Sequence, residues 1–254
     1  MGNLNKEFSD KFDTLLNSYA TIAPYGTPDS PLDIEVDEYE KSVYLTRAEK
    51  ELVVSFYSGR NPYEISFEEK EEMREALDTL VKTTTPEVIP ENELPEGVES
   101  SNIYNRSSVF YEIPEDLLYI IFEKVEFNVY LCDGIKRKQA LVVPTSHDDL
   151  WNMAQNPFKG PSKNKVLRLN AGDNIVELIS HNDYPIGSYL LRYVEEPKPI
   201  ILINLPDGLE IDGLSTETEC KLPQILHDRI IDVAVRMALQ TKSIGRQPKT
   251  ESKE

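Results

Sequence analysis

The sequence predicts an α+β fold: a helical bundle built from N-terminal helices and one C-terminal helix, with an antiparallel β module inserted between them. Three observations carry this. Apolar residues recur at helical spacing near the two ends of the 254-residue chain. Between about 108 and 205 the pattern changes to short runs rich in Val, Ile, Tyr and Phe, separated by turn residues. A lone terminal helix is not stable in water, so the C-terminal helix needs the N-terminal ones as partners.

Over residues 3–19, Leu4, Phe8, Phe12, Leu15, Leu16 and Tyr19 share one face of an amphipathic helix. Residues 20–44, with three prolines and many acids, read as a loop or an extended arm. Thr46-Arg47-Ala48-Glu49 is a capping-box pattern that predicts a helix running to Ser58, with Gly59 as its stop. Ser66-Phe67-Glu68-Glu69 repeats the device and predicts a helix to about Lys82. The stretch 83–102 has three prolines and no helical period, so it reads as a boundary.

Seven runs then read as strands: SSVFYEIP, YIIFEKVEFNVYL, KRKQALVVP, KVLRLN, NIVELI, GSYLLRYV and PIILINL. Asp133-Gly134, Ala171-Gly172-Asp173 and Tyr184-Pro185-Ile186-Gly187 supply turns between them. His147-Asp148-Asp149 follows Pro144-Thr145-Ser146 and opens a short helix at 147–155, its acids near the positive end of the helix dipole. At the end of the chain Pro223 suits the first helical position. Leu222, Ile225, Leu226, Ile230, Val233 and Met237 form the predicted core stripe of the closing helix. The organisation is therefore 1–83 N-terminal helices and acidic arm, 84–107 linker, 108–206 β module, 207–240 linker and closing helix, and 241–254 flexible tail.

The formal charge is −18, unevenly spread. Residues 1–100 hold 23 acidic and 9 basic side chains, a balance of −14. Such a body does not bind nucleic acid backbones by counterion release, but it suits a passage through which DNA moves without sticking. Two cysteines without CxxC spacing, Cys132 and Cys220, argue against a disulfide framework or a cysteine-based zinc site. No run approaches 18 apolar residues, so no membrane span is expected. The start MGNLNKEFSD has no signal-peptide core, and Lys6 stands where a myristoylation signal wants Ser or Thr.

Each histidine stands near an acid, at His147-Asp148-Asp149, His181-Asn182-Asp183 and His227-Asp228. This vocabulary suits a metal-dependent hydrolase, the alternative function. No two histidines share a local ligand spacing, however, and no Walker, GxGxxG or GxSxG motif is present, so structural roles and no cofactor are expected. The stretch NPFKGPSKNKVLRLN at 156–170 is basic in an acidic chain. A phosphate cradle needs free amides at a helix start, whereas two prolines and a strand follow here. Phe158 is either a core plug or an exposed anchor. Lys159, Lys163, Lys165 and Arg168 form a basic patch suited to an acidic copy of the same chain. In the tail, Ile244 is the one apolar anchor, with Lys242, Arg246 and Lys249 as a basic strap toward acidic surface.

The segments YLTRAEKELVVSFYSG, VVPTSHDDLWNMAQNPFKGPSKNKVLRL, YLLRYVEEPKPIILINL and CKLPQILHDRIIDVAVRMAL together resemble a structural protein of crAss-like tailed bacteriophages, one of the ring proteins that join portal to tail. The last segment also resembles the closing helix of head-to-tail connector proteins. The resemblance implies a non-enzymatic virion component, made in the host bacterial cytoplasm. It implies a dodecameric ring under the portal protein, in contact with other neck or tail ring proteins, with genomic DNA passing through the lumen without sequence-specific binding. A ring needs one patch to meet a different patch on the next copy. The acidic N-terminal part and the basic loops at 136–138 and 159–168 are candidates for that pair.

Overall fold

The computed structural model describes residues 4–22, 34–58, 75–103, 105–131, 134–172 and 174–244. It is α+β and divides into two compact units: Val81–Glu195, and the remainder of the chain on both sides of it.

The unit formed by the two ends of the chain is built on helices. Helix α1 (Leu4–Ala20) buries Phe8, Phe12, Leu16 and Ala20. Helix α2 spans Glu38–Tyr57 and starts two turns before the predicted Thr46. Asp37 is its N-cap, its side chain accepting from the amide of Glu40. Thr46 is therefore no capping residue. It lies mid-helix, where its Oγ1 donates to Ser42 O and accepts from Ile200 N. Ser42 Oγ likewise accepts from Leu202 N. These hydroxyls satisfy buried amides of the extended segment at Ile200–Leu202, as a neighbouring strand would. That segment, PIILINL, was expected as a strand; it makes only an isolated bridge between Ile201 and Thr218.

Most of the helix expected at 66–82 lies outside the described residues, as does Gly59. Its end is helical at 75–77 and then a 3-10 turn at Asp78–Leu80, but Val81 and Lys82 already belong to a strand.

Pro223 precedes a 3-10 turn, Gln224–Leu226, rather than starting the helix. Helix α4 follows at His227–Ile244. Ile230, Ile231, Ala234, Val235, Ala238 and Leu239 are fully buried. This stripe is two residues wide because α4 packs against both α1 and α2. Arg229 lies over the Phe56 ring of α2, and Tyr19 of α1 donates to Asp232. Of the predicted stripe, Leu222, Leu226 and Ile230 are buried and Val233 and Met237 are half-buried. Ile225 is a correction: it is 85% exposed, because the tighter 3-10 turn rotates it off the helix face.

The second unit is an eight-stranded sheet in the order β1-β8-β4-β5-β6-β7-β3-β2. The strands are β1 Val81–Thr84, β2 Glu87–Ile89, β3 Arg106–Glu112, β4 Leu117–Leu131, β5 Gly134–Pro144, β6 Lys165–Gly172, β7 Ile175–His181 and β8 Ile186–Glu195. Residues 84–107, expected as a linker, thus supply β2 and the start of β3. The sheet is also not wholly antiparallel: β5 and β6 run parallel. Their connection carries α3 (His147–Gln155), the crossover that a parallel pair requires.

The sheet curls, so that Tyr111 on β3 meets Tyr189 on β8 edge to face at 5.1 Å. Inside lie Val125, Phe127, Val166, Val176, Leu178 and Leu191. Outside, Leu150 and Ala154 of α3 cover Leu167, Leu169 and Ile179. Strand β7 is therefore buried on both faces. Its Glu177 accepts from the amide and hydroxyl of Ser101 in the segment that overlies it.

Candidate interaction surface

The segment joining β5 to β6 is built from its caps outward. Ser146 Oγ accepts from Asp149 N and starts α3. Leu150 and Ala154 face the sheet, which leaves Trp151 outward and 59% exposed. After the helix, Asn156 Oδ1 accepts from the amides of Phe158 and Lys159, at 2.9 and 3.1 Å. Gly160 N donates to Asn156 O at 2.7 Å. Lys165 Nζ donates to Phe158 O at 3.0 Å. A Cβ at Gly160 would stand 2.8 Å from Asn156 O and 2.9 Å from Ala154 O, so no other residue fits this turn unchanged. On this fixed turn Phe158 is 91% exposed. It is not a core plug.

The predicted basic patch divides. Lys159 and Lys163 are exposed, whereas Lys165 is half-buried and tied to the turn. Arg168 is a correction. Its side chain is only 12% exposed and forms an ion pair with Glu123 of β4 at 3.1 Å, the N–H not aimed squarely at the oxygen. Tyr189 of β8 donates to the same carboxylate. Burial pushes the Glu123 carboxyl up, and the Arg168 charge and the Tyr189 hydrogen bond pull it back part of the way. The ion pair ties Arg168 to a neighbouring part of its own sheet.

Lys242 is also committed within its own chain: it lies in α4 and pairs with Glu40 of α2 at 2.7 Å. The helix runs to Ile244, so residues 241–244, expected as part of the tail, are helical. The Ile244 side chain, Arg246 and Lys249 lie outside the described residues.

The histidine nitrogens are engaged locally. His147 Nε2 meets Asn170 O, His181 Nδ1 meets Asp183, and the buried His227 meets Leu222 O while its ring packs on Phe8. Among the described residues no cluster of His, Cys, Asp or Glu has the geometry to hold a metal. No described helix is long and apolar enough to cross a membrane.

Two features had no signal in residue spacing. One is a groove of about 520 Å³ between α1 and α4, lined by Asp10, Lys11, Leu15, Asp228, Ile231 and Asp232. The other is the buried pair Glu49 and Cys220, 171 residues apart, where the thiol donates to Glu49 Oε1 at 3.2 Å. Glu49 Oε2 has no hydrogen-bond partner. Burial raises the Glu49 carboxyl to about 7, against the pull of the Cys220 hydrogen bond and of Lys50 and Lys221. An acid raised in the fold makes the folded state bind the extra proton. The Glu49 contribution therefore favours folding as pH falls from about 7 toward the ordinary carboxyl value, and opposes it above 7. We expect the wild-type urea midpoint, relative to that of Glu49→Gln, to rise between pH 7.5 and 5.5 by the equivalent of about 1–3 kcal/mol. Parallel pH profiles for the two proteins would remove Glu49 as the cause.

Phe158 is thus presented on a fixed turn, with the exposed Lys159 and Lys163 beside it. Residues 3–250 match the crAss ring 3/4 family, phage tail ring protein 3/4, and the chain belongs to that family. It is 44% identical to Ring protein 3 of Bacteroides phage crAss001 over 243 residues, covering 94% of this chain and 96% of that protein. It is 32% identical to Ring protein 4/5 of the same phage, also over 243 residues, covering 93% and 92%.

Proposed function

We propose that this chain forms a closed, dodecameric ring in the head-to-tail connector of a tailed phage, between portal and tail. The family match across residues 3–250 carries this reading. The protein serves there as a non-enzymatic adaptor of the virion neck, bound to the portal protein or to another ring, with genomic DNA moving through the lumen. A charge of −18 supports the passage, because an acidic wall repels the phosphate backbone and holds no DNA in place. Within each subunit α1, α2 and α4 act as one bundle that presents its outer faces to neighbours.

Electron microscopy of purified virions tests the reading. The expected result is twelve copies of this chain in a ring coaxial with the portal. Density for the chain in the capsid shell or in tail fibres, or in another copy number, would refute it.

A further inference from the structure

We infer that Phe158, flanked by Lys159 and Lys163, docks into the α1/α4 groove of a second copy of this chain. The inference rests on the ring reading above and names the contact that would close the ring.

The first ground is the turn. Free loops let an apolar side chain fold back onto the protein. This turn is held by the hydrogen bonds that the amides of Phe158 and Lys159 donate to Asn156 Oδ1, Gly160 N to Asn156 O and Lys165 Nζ to Phe158 O. The ring is thus kept 91% exposed and forgoes the burial an aromatic ordinarily gains. Preorganised exposure of this kind lowers the ordering cost of binding.

The second ground is the groove. The half-buried Leu15 gives it apolar surface above the buried Ile231, and about 520 Å³ accommodates an aromatic side chain. Its rim holds three acids, Asp10, Asp228 and Asp232, against one base, Lys11. Lys11 is already paired with Glu7 and Asp228, and Asp232 takes the Tyr19 hydroxyl and Arg236. The groove therefore keeps a negative balance, and Asp228 is 79% exposed. Apolar surface with an acidic rim complements an aromatic knob with two lysines, the usual anatomy of an anchor inside a polar rim. Knob and groove are different patches of one sequence, which is the condition for a head-to-tail interface that closes into a ring.

Carbodiimide coupling of wild-type virions joins lysines to carboxylates in direct contact. We expect a cross-linked band at twice the 29.0 kDa chain mass, containing Lys159 or Lys163 joined to Asp10, Asp228 or Asp232. In complemented particles, Phe158→Ser should reduce incorporation of the chain at least tenfold. Val88→Ser, at an exposed apolar residue on β2, should leave it unchanged. Lys159→Glu with Lys163→Glu should also lower incorporation, and adding Asp10→Lys with Asp228→Lys should restore it. The proposal is overturned if the lysines couple to another protein, or to other carboxylates of this chain, or if Phe158→Ser enters particles at the wild-type level. A ring seen by microscopy together with any of those results would reject the docking contact and keep the ring. No ring at all would reject both.

Discussion

Arg168→Met is expected to destabilise the sheet unit by about 3–5 kcal/mol at pH 8, because it strips the counter-charge from a buried carboxylate. Glu123 and Arg168 are 6% and 12% exposed in their side chains, so water reaches neither well. Without the guanidinium, Glu123 keeps the Tyr189 hydroxyl as a hydrogen-bond donor. Burial then pushes the carboxyl further above its ordinary range than in the wild type. The sign with pH follows. An acid whose folded value is raised destabilises the fold where it is ionised, and that loss fades as the pH falls toward the unfolded value. The deficit of Arg168→Met should therefore be smaller at pH 5 than at pH 8. The double variant Glu123→Leu/Arg168→Met should recover most of it, since replacing both partners by apolar groups leaves no charge to desolvate. Urea unfolding followed at both pH values decides the matter. A wild-type midpoint for Arg168→Met would show that the ion pair contributes nothing.

This pair also shows where reading the chain reaches its limit. KVLRLN announced a strand, and the alternation of Val166 and Arg168 against Leu167 and Leu169 is plain in it. What stands near Arg168 depends on the strand order, which leaves only β5 between β4 and β6, and Glu123 lies 45 positions earlier. A basic residue near other basic residues therefore read as surface, when it belonged to the interior. The same limit hid the state of Phe158: its turn was legible in Pro157, Gly160 and Pro161, but exposure is a property of what fails to cover it.

Other misses had signals that stronger ones masked. Asp37-Glu38-Tyr39-Glu40 carries the N-cap pattern that Asp37 fulfils, but it sits at the end of a proline-rich acidic stretch. The strands β1 and β2 are four and three residues long and lie at the sheet edges beside Pro86 and Pro90. Short edge strands have little apolar alternation to show. The twenty-residue connection at 145–164, with a helix inside it, was itself a sign of parallel pairing between β5 and β6. By contrast β3 to β8 were readable throughout, because their β-branched and aromatic runs are long and separated by turn residues.

Ile230→Asp is expected to cost about 4 kcal/mol or more, enough to unfold the helical unit at modest denaturant. Ile230 is fully buried. The substitution gives up about 1.5–3 kcal/mol of side-chain burial and places a carboxylate at a fully buried position. The apparent core stripe of large residues, running through Ile225, Val233 and Met237, understates why this position is so sensitive. The buried surface of α4 includes Ala234 and Ala238, small residues that let neighbouring helices approach closely, and Ile230 and Ile231 lie one turn before them on that same surface. Close packing leaves no room for a water to follow the charge. Ile225→Asp supplies the control: the same chemistry only five residues earlier, at an 85% exposed site, should shift the melting curve by no more than about 0.5 kcal/mol. Equal losses for the two variants would mean that the 3-10 turn and α4 do not divide exposed from buried as described. Equal retention of the wild-type curve would mean that α4 is not packed against α1 and α2 in solution.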